Sequence, residues 1–163
     1  MKKNDYINGQ CVDYTHDAQG IVKTDGFPVF VKNMLVGEQG KIKIIKVLKN
    51  YAVGRLIDLD IISPYRNEPR CPIFKQCGGC HLQHLSKEGQ QQFKTKRVRD
   101  TLQKIGHCDV EVLPCLMMDN PWFYRNKVQV PVGLQDDKLV TGFYKQDCNH
   151  IVPMDICYIQ NEK

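Results

Sequence analysis

Cys71, Cys77 and Cys80 stand within ten residues of one another in the spacing C-x5-C-x2-C, on a stretch that also carries Pro72 and the pair Gly78-Gly79. Two glycines between Cys77 and Cys80 let the backbone turn tightly enough to aim both thiols at one point. Thiols at such spacing are metal ligands. Burial of cysteine as a small apolar residue requires no regular spacing, whereas a C-x2-C pair on a tight turn serves a zinc ribbon and an iron-sulfur cluster equally well. Three protein ligands leave either kind of site one short, so a fourth thiolate is expected from elsewhere in the fold. Cys157 is the first candidate, with Cys115 and Cys148 as rivals; Cys11 lies far upstream, and Cys108 directly follows the end of an expected helix. The residues alone leave both the metal and the fourth ligand open.

The elements that must position this loop are bounded by size. A chain of 163 residues with 42% apolar content can bury one or two small cores, and two small domains are expected. Met1-Lys2-Lys3-Asn4-Asp5 is too polar for a secretory segment, and no apolar run reaches membrane-spanning length. A cytoplasmic location follows as the expectation. In that reducing compartment, eight cysteines argue for metal or free thiols over a disulfide framework. The net charge of +5, locally clustered, is compatible with a polyanionic partner.

The first 62 residues read as short strands separated by turns. Asp25-Gly26 between Gly20-Ile21-Val22-Lys23 and Phe27-Pro28-Val29-Phe30-Val31 is a hairpin signal. Gly37 and Gly40 mark the next turn. Lys41-Ile42-Lys43-Ile44 alternates strictly, and Ile45-Lys46-Val47-Leu48-Lys49 resumes with shifted phase, as a β-bulge would cause. After Asn50 a last strand begins at Tyr51. Five short strands without a helical period predict a small antiparallel barrel of the OB-like kind. Lys41, Lys43, Lys46 and Lys49 should point outward where isoleucines point in. Edge lysines protect a sheet from pairing with another chain, but beside Phe30 and Tyr51 they also offer what phosphates and unstacked bases need.

Ser63-Pro64-Tyr65-Arg66-Asn67-Glu68-Pro69-Arg70 reads as a linker over 63–70 into a second domain, 71–163. Ser86 can cap a helix that Gly106 ends, with Glu88 in its first turn. On a helical wheel Val98, Leu102 and Ile105 share a face; Lys96, Arg97 and Lys104 lie opposite, with Phe93 among them. Strands are expected at Val110–Leu113, at Trp122–Val132 and at Lys138–Lys145, forming a small sheet that carries the helix. The overall expectation is mainly β with an α+β second domain. Trp122 reads as core, whereas Tyr124-Arg125-Asn126-Lys127 groups an aromatic, a guanidinium, an amide and an ammonium suited to RNA.

These segments carry a family resemblance. Asp25-Gly26-Phe27-Pro28-Val29-Phe30-Val31, Gly37-Glu38, Cys71-Pro72, Cys77-Gly78-Gly79-Cys80-His81-Leu82-Gln83-His84, Gln90 to Lys94, Tyr124-Arg125-Asn126-Lys127, Gly142-Phe143-Tyr144, His150-Ile151-Val152 and Cys157-Tyr158-Ile159-Gln160 together resemble the RNA uracil-5 methyltransferases, most closely the branch acting on large-subunit ribosomal RNA. The resemblance covers essentially the whole chain. It implies a TRAM domain over 1–62, an OB-like RNA-binding barrel, followed by a central domain holding a [4Fe-4S] cluster on Cys71, Cys77, Cys80 and Cys157, with zinc as the alternative. Lys23, Phe30, Lys41, Lys43, Lys96, Arg97, Tyr124, Arg125, Lys127 and His150 are the candidate RNA contacts. Ala18, Lys87 and Cys148 depart from the family's usual glycine, tyrosine and serine, and none is at a ligand position.

Methyl transfer to uracil C5 requires a cysteine nucleophile for C6, a base for the C5 proton and a doubly wound domain for S-adenosylmethionine. No glycine-rich strand-to-helix loop of that kind occurs in the chain. The family's catalytic residues follow its fourth cluster cysteine, and here six residues follow Cys157. The expectation is the amino-terminal portion of such an enzyme, not catalytic alone.

Overall fold

The computed structural model describes residues 1–146 and 148–162. The chain forms two compact units, one of Met1–Asn67 with His84–Cys115, the other of Glu68–Gln83 with the residues from Leu116 onward.

In the first unit, β1 (Tyr6–Tyr14), β2 (Gly20–Thr24), β3 (Phe27–Lys32), β4 (Gln39–Val47) and β5 (Ala52–Ile61) close a barrel in the order β1-β2-β3-β5-β4. All pairings are antiparallel except β3 with β5. The expected hairpin is present: Asp25 and Gly26 both take positive φ, 48° and 79°, the pair of left-handed residues that matches a two-residue turn to the twist of its strands. The phase change after Ile44 is also present, as a register shift between Ile44 and Lys46 against β5. It lets Ile42 and Ile44 enter the core while Ile45 and Lys46 stay exposed. Val22, Val29, Val31, Ile42 and Ile44 are each fully buried, and each such side chain contributes roughly 1.5–3 kcal/mol.

The unit's helix, α1 (Lys87–Lys104), begins at Ser86, whose hydroxyl accepts the Gly89 N–H at 3.1 Å. Its inward face differs from the apolar stripe on the wheel. Phe93 meets Tyr14 edge-on at 5.3 Å, and Gly89 is buried, whereas Val98 and Ile105 are 51% and 76% exposed. Those contacts place the helix with the barrel's unit, a division different from the 63–70 linker expected from sequence.

In the second unit, β6 (Val132–Gln135), β7 (Lys138–Tyr144) and β8 (Ile151–Pro153) form an antiparallel sheet in that order. The strands expected at Val110–Leu113 and over most of Trp122–Val132 are not formed; of the latter only Val132 joins β6. Phe123 takes φ 55°, which interrupts an extended run, and residues 123–125 pair with the 158–161 segment rather than with a neighbouring strand. No helix of the described residues is long and apolar enough to cross a membrane.

Candidate metal centre and nucleic-acid face

The cysteine loop is built from short turns and tied down at both ends. Phe74 N–H donates to the Cys71 carbonyl at 3.1 Å, and Cys77 N–H to that of Ile73 at 2.8 Å. Gly78 N–H reaches the Tyr144 carbonyl on β7 at 2.9 Å, Gln146 N–H donates to Gln76 at 3.0 Å, and Cys71 N–H bonds the Gln83 side chain at 3.1 Å. Neither Gly78 nor Gly79 uses positive φ. At Gly78 proximity favours glycine, since a Cβ there would stand 3.0 Å from the Tyr144 carbonyl oxygen, whereas one on Gly79 would meet Cys77 Sγ at an ordinary contact distance of 3.4 Å.

Across from this loop, Phe123 N–H and Arg125 N–H donate to the carbonyls of Tyr158 and Ile159, each at 2.9 Å, and Asn161 N–H returns to Arg125 at 3.0 Å. That pairing places Cys157 beside the loop. Cys71, Cys77, Cys80 and Cys157 line one pocket of about 20 Å³, walled by Phe143 and Ile156 among others. The remaining cysteines lie elsewhere. Cys11 is in the barrel core, its thiol pushed up to about 12 chiefly by burial; Cys115 is in the first unit, and Cys108 and Cys148 are exposed. All eight cysteines are free.

Burial is the main reason the Cys77 and Cys80 thiols titrate above the ordinary thiol value, and the neighbouring thiols of the same pocket push in the same direction. Cys71, Cys77, Cys80 and Cys157 line the same pocket and are the sulfur donors available there. Such all-sulfur chemistry suits a soft metal, whose binding would expel the thiol protons. Among the described residues, however, no three His, Cys, Asp or Glu side chains are gathered closely enough to hold a single ion. The four thiols share a pocket without converging on a point. Arg125, read from sequence as an RNA contact, also lines this pocket.

The nucleic-acid candidates fall on both units. On the barrel, Tyr6 opposes Lys43 and Asn8 opposes Lys41 across the β1–β4 pairing, which brings the two ammonium groups to 5.7 and 5.1 Å from the Tyr6 ring centre. Tyr6 is exposed; periodicity gave no sign that it would join the lysines. The parallel pairing of β3 with β5 brings Phe30 to 5.0 Å from Tyr51, tilted by 30°. Lys23 is exposed on β2 opposite Pro28. Lys96 is engaged within the unit, at 3.1 Å from Asp13 and 2.6 Å from Asp100, which also binds Lys104 at 2.9 Å. The Asp100 hydrogen bond is the first reason the Lys96 ammonium is held above its ordinary value. Arg97 is exposed on α1. In the second unit Tyr124, Arg125 and Lys127 are exposed, Arg125 and Lys127 lining a cleft with Phe143, and the His150 ring lies 3.3 Å from the Gln135 amide.

A closed five-stranded barrel with an exposed aromatic beneath two lysines, followed by a three-thiol loop that shares a pocket with Cys157, defines a class of protein. Residues 12–57 match the TRAM domain family, so the barrel is a TRAM domain. Along its whole length the chain is 53% identical to a protein of Bacillus cereus (strain ATCC 14579) called an uncharacterized RNA methyltransferase, and 47% identical to a like-named protein of Listeria monocytogenes serotype 4b. In each case it spans 36% of the relative's length. The crystal structure of Pyrococcus abyssi tRNA (uracil-54, C5)-methyltransferase in complex with S-adenosyl-L-homocysteine superposes on 95% of the chain, and 33% of its own, with a TM-score of 0.62. At 24% identity that likeness is one of fold. Over its barrel the chain is thus similar to the TRAM domain family, and along its whole length to these two bacterial relatives, of which it spans about a third.

Proposed function

We propose that this chain is the RNA-binding, [4Fe-4S]-carrying portion of an S-adenosylmethionine-dependent methyltransferase acting at uridine C5 in ribosomal RNA. The observation that carries the RNA reading is the Tyr6 ring beneath Lys41 and Lys43 on a TRAM barrel. An exposed ring can stack on an unpaired base while the two ammonium groups meet adjacent phosphates. Arg125 and Lys127 supply a second basic edge, with Tyr124 exposed beside them. Lys96 is the weakest of the candidates because Asp13 and Asp100 already neutralise it.

Binding of RNA by the chain should weaken as salt rises, and Lys41→Ala/Lys43→Ala should lower affinity for all sequences alike while reducing the salt slope by about 1 to 2. A flat salt titration, or a double variant that binds as the parent does, would sink the basic-face reading. The ribosomal target rests on the motif resemblance, and competition between large-subunit ribosomal RNA fragments and tRNA separates it from a tRNA target.

Cys71, Cys77, Cys80 and Cys157 are the ligands this reading assigns to the cluster. When bound, it supplies iron–thiolate bonds that tie the 71–80 loop to the segment after β8. The cluster assignment rests on the C-x5-C-x2-C spacing with Cys157 and on the family resemblance, and a zinc ion on the same four thiols is the alternative. Iron, sulfide and zinc analysis of anaerobically prepared protein decides between the two. Because the chain holds no glycine-rich cofactor loop, RNA and S-adenosylmethionine incubated with it should yield no 5-methyluridine.

A further inference from the structure

Arg70 precedes the first cysteine of the loop, and Tyr158 follows the last candidate ligand. The Arg70 guanidinium lies 4.7 Å from the Tyr158 ring centre and 5.3 Å from those of both Trp122 and Phe123, while Phe123 and Tyr158 stand 6.1 Å apart. Three aromatic faces around one planar cation form a cage, built from three separate segments of the second unit. Backbone hydrogen bonds already join two of them, from Phe123 to Tyr158 and from Arg125 to Ile159. The third segment, carrying Arg70 and Cys71, is held otherwise by the Gln83 side chain on Cys71 N–H.

Resting on the reading of the four cysteines as ligands, we infer that Arg70 is a positioning residue for the metal centre: its guanidinium, caged by Trp122, Phe123 and Tyr158, clamps the first thiol, Cys71, against the fourth, Cys157. Cys77 needs no such device, because the backbone bonds of its neighbours, Gly78 to Tyr144 and Gln146 to Gln76, fix it to the end of β7. Cys71 and Cys157 sit on chain segments 86 residues apart, and among the described residues no backbone hydrogen bond joins the two segments directly. A planar guanidinium stacks on aromatic rings in a way that the compact ammonium of lysine cannot reproduce, so the clamp depends on arginine and not on positive charge alone.

The test uses the 163-residue chain, reconstituted anaerobically with iron and sulfide, and follows the sulfur-to-iron absorption during challenge with a chelator. Arg70→Ala and Arg70→Lys should both lose the cluster about 10- to 100-fold faster than the parent, the range seen when groups that orient a ligand are removed. A metal-free arm asks the same question of the thiols. Diamide, itself reduced to the hydrazine, joins two thiols as a disulfide, and peptide mapping reports the rate for Cys71 with Cys157. Arg70→Lys should slow that pair about tenfold, with far-UV circular dichroism unchanged. Parent-like rates in both arms overturn the clamp, and so does an Arg70→Lys variant that matches the parent while Arg70→Ala does not. Should the parent take up no iron while the Cys71–Cys157 reaction still depends on Arg70, the clamp stands and the cluster reading falls.

Discussion

The guanidinium of Arg66 forks onto the carboxylate of Glu38, Nε to Oε1 at 2.5 Å and Nη2 to Oε2 at 2.7 Å, at a site where Glu38 is wholly buried. The same carboxylate accepts the N–H groups of Leu35 at 2.8 Å and Ser63 at 3.3 Å, and Arg66 Nη2 also reaches the Asn33 carbonyl. One ion pair thereby ties the turn before β4 to the segment after β5. Removing the cation alone leaves a desolvated negative charge. Arg66→Met should destabilise the first unit by about 3 kcal/mol, the lower end for a broken buried pair because Arg66 keeps 22% exposure. Glu38→Leu/Arg66→Met should recover much of the loss in denaturant unfolding. A single variant as stable as the parent would show that the fork contributes nothing.

His84 sits beside that pair and is 2% exposed. Burial first, and the Arg66 charge second, hold its pKa down to about 4 from 6.5, against the opposing pull of Glu38. The folded chain therefore binds fewer protons than the unfolded chain between those values. Stability from this source is complete above about pH 6.5 and declines as pH falls toward 4, by up to about 3 kcal/mol. Unfolding free energies at pH 7 and pH 4.5 should fall more steeply for the parent than for His84→Gln. Parallel pH slopes would remove His84 from the account.

Ala18 has φ 65° and is nearly buried, in a turn closed by Ala18 N–H to the Thr15 carbonyl and Gln19 N–H to Thr15 Oγ1. A left-handed alanine costs about 1–2 kcal/mol, and glycine would relieve it at an unfolded-state entropy cost of about 0.4–1 kcal/mol. Ala18→Gly should therefore raise stability by about 0.5–1 kcal/mol, visible as a higher melting temperature. A lower one would mean that the Ala18 methyl contributes more by burial than its backbone costs.

Among the cysteines outside the loop, Cys157 is the one that lines the thiol pocket. Cys157→Ser should lose iron and loosen the second unit, since the loop it closes from Cys80 exceeds seventy residues and metal binding is linked to folding. Cys115→Ser and Cys148→Ser should keep full iron content. The barrel should stay folded in Cys157→Ser, because Cys157 belongs to the second unit. Iron counts and thermal melts check this, and iron lost from Cys148→Ser but retained in Cys157→Ser would reverse the assignment.

The barrel was legible in the residues because its signals are local. Alternation in Lys41-Ile42-Lys43-Ile44, the phase slip after it and the Asp25-Gly26 turn each follow from the period of a strand or the φ of a residue, which neighbours in sequence dictate. Ser86 as helix cap belongs to the same kind of fact. Tertiary structure alone decided that α1 turns Gly89 and Phe93 inward and leaves Val98 and Ile105 in solvent, because which stripe is buried depends on what lies against it. It also decided that Tyr6 lies beneath Lys41 and Lys43 and that Arg70 is ringed by residues more than fifty positions away. Those juxtapositions are products of strand register and chain closure, and no local period encodes which distant segment arrives beside another.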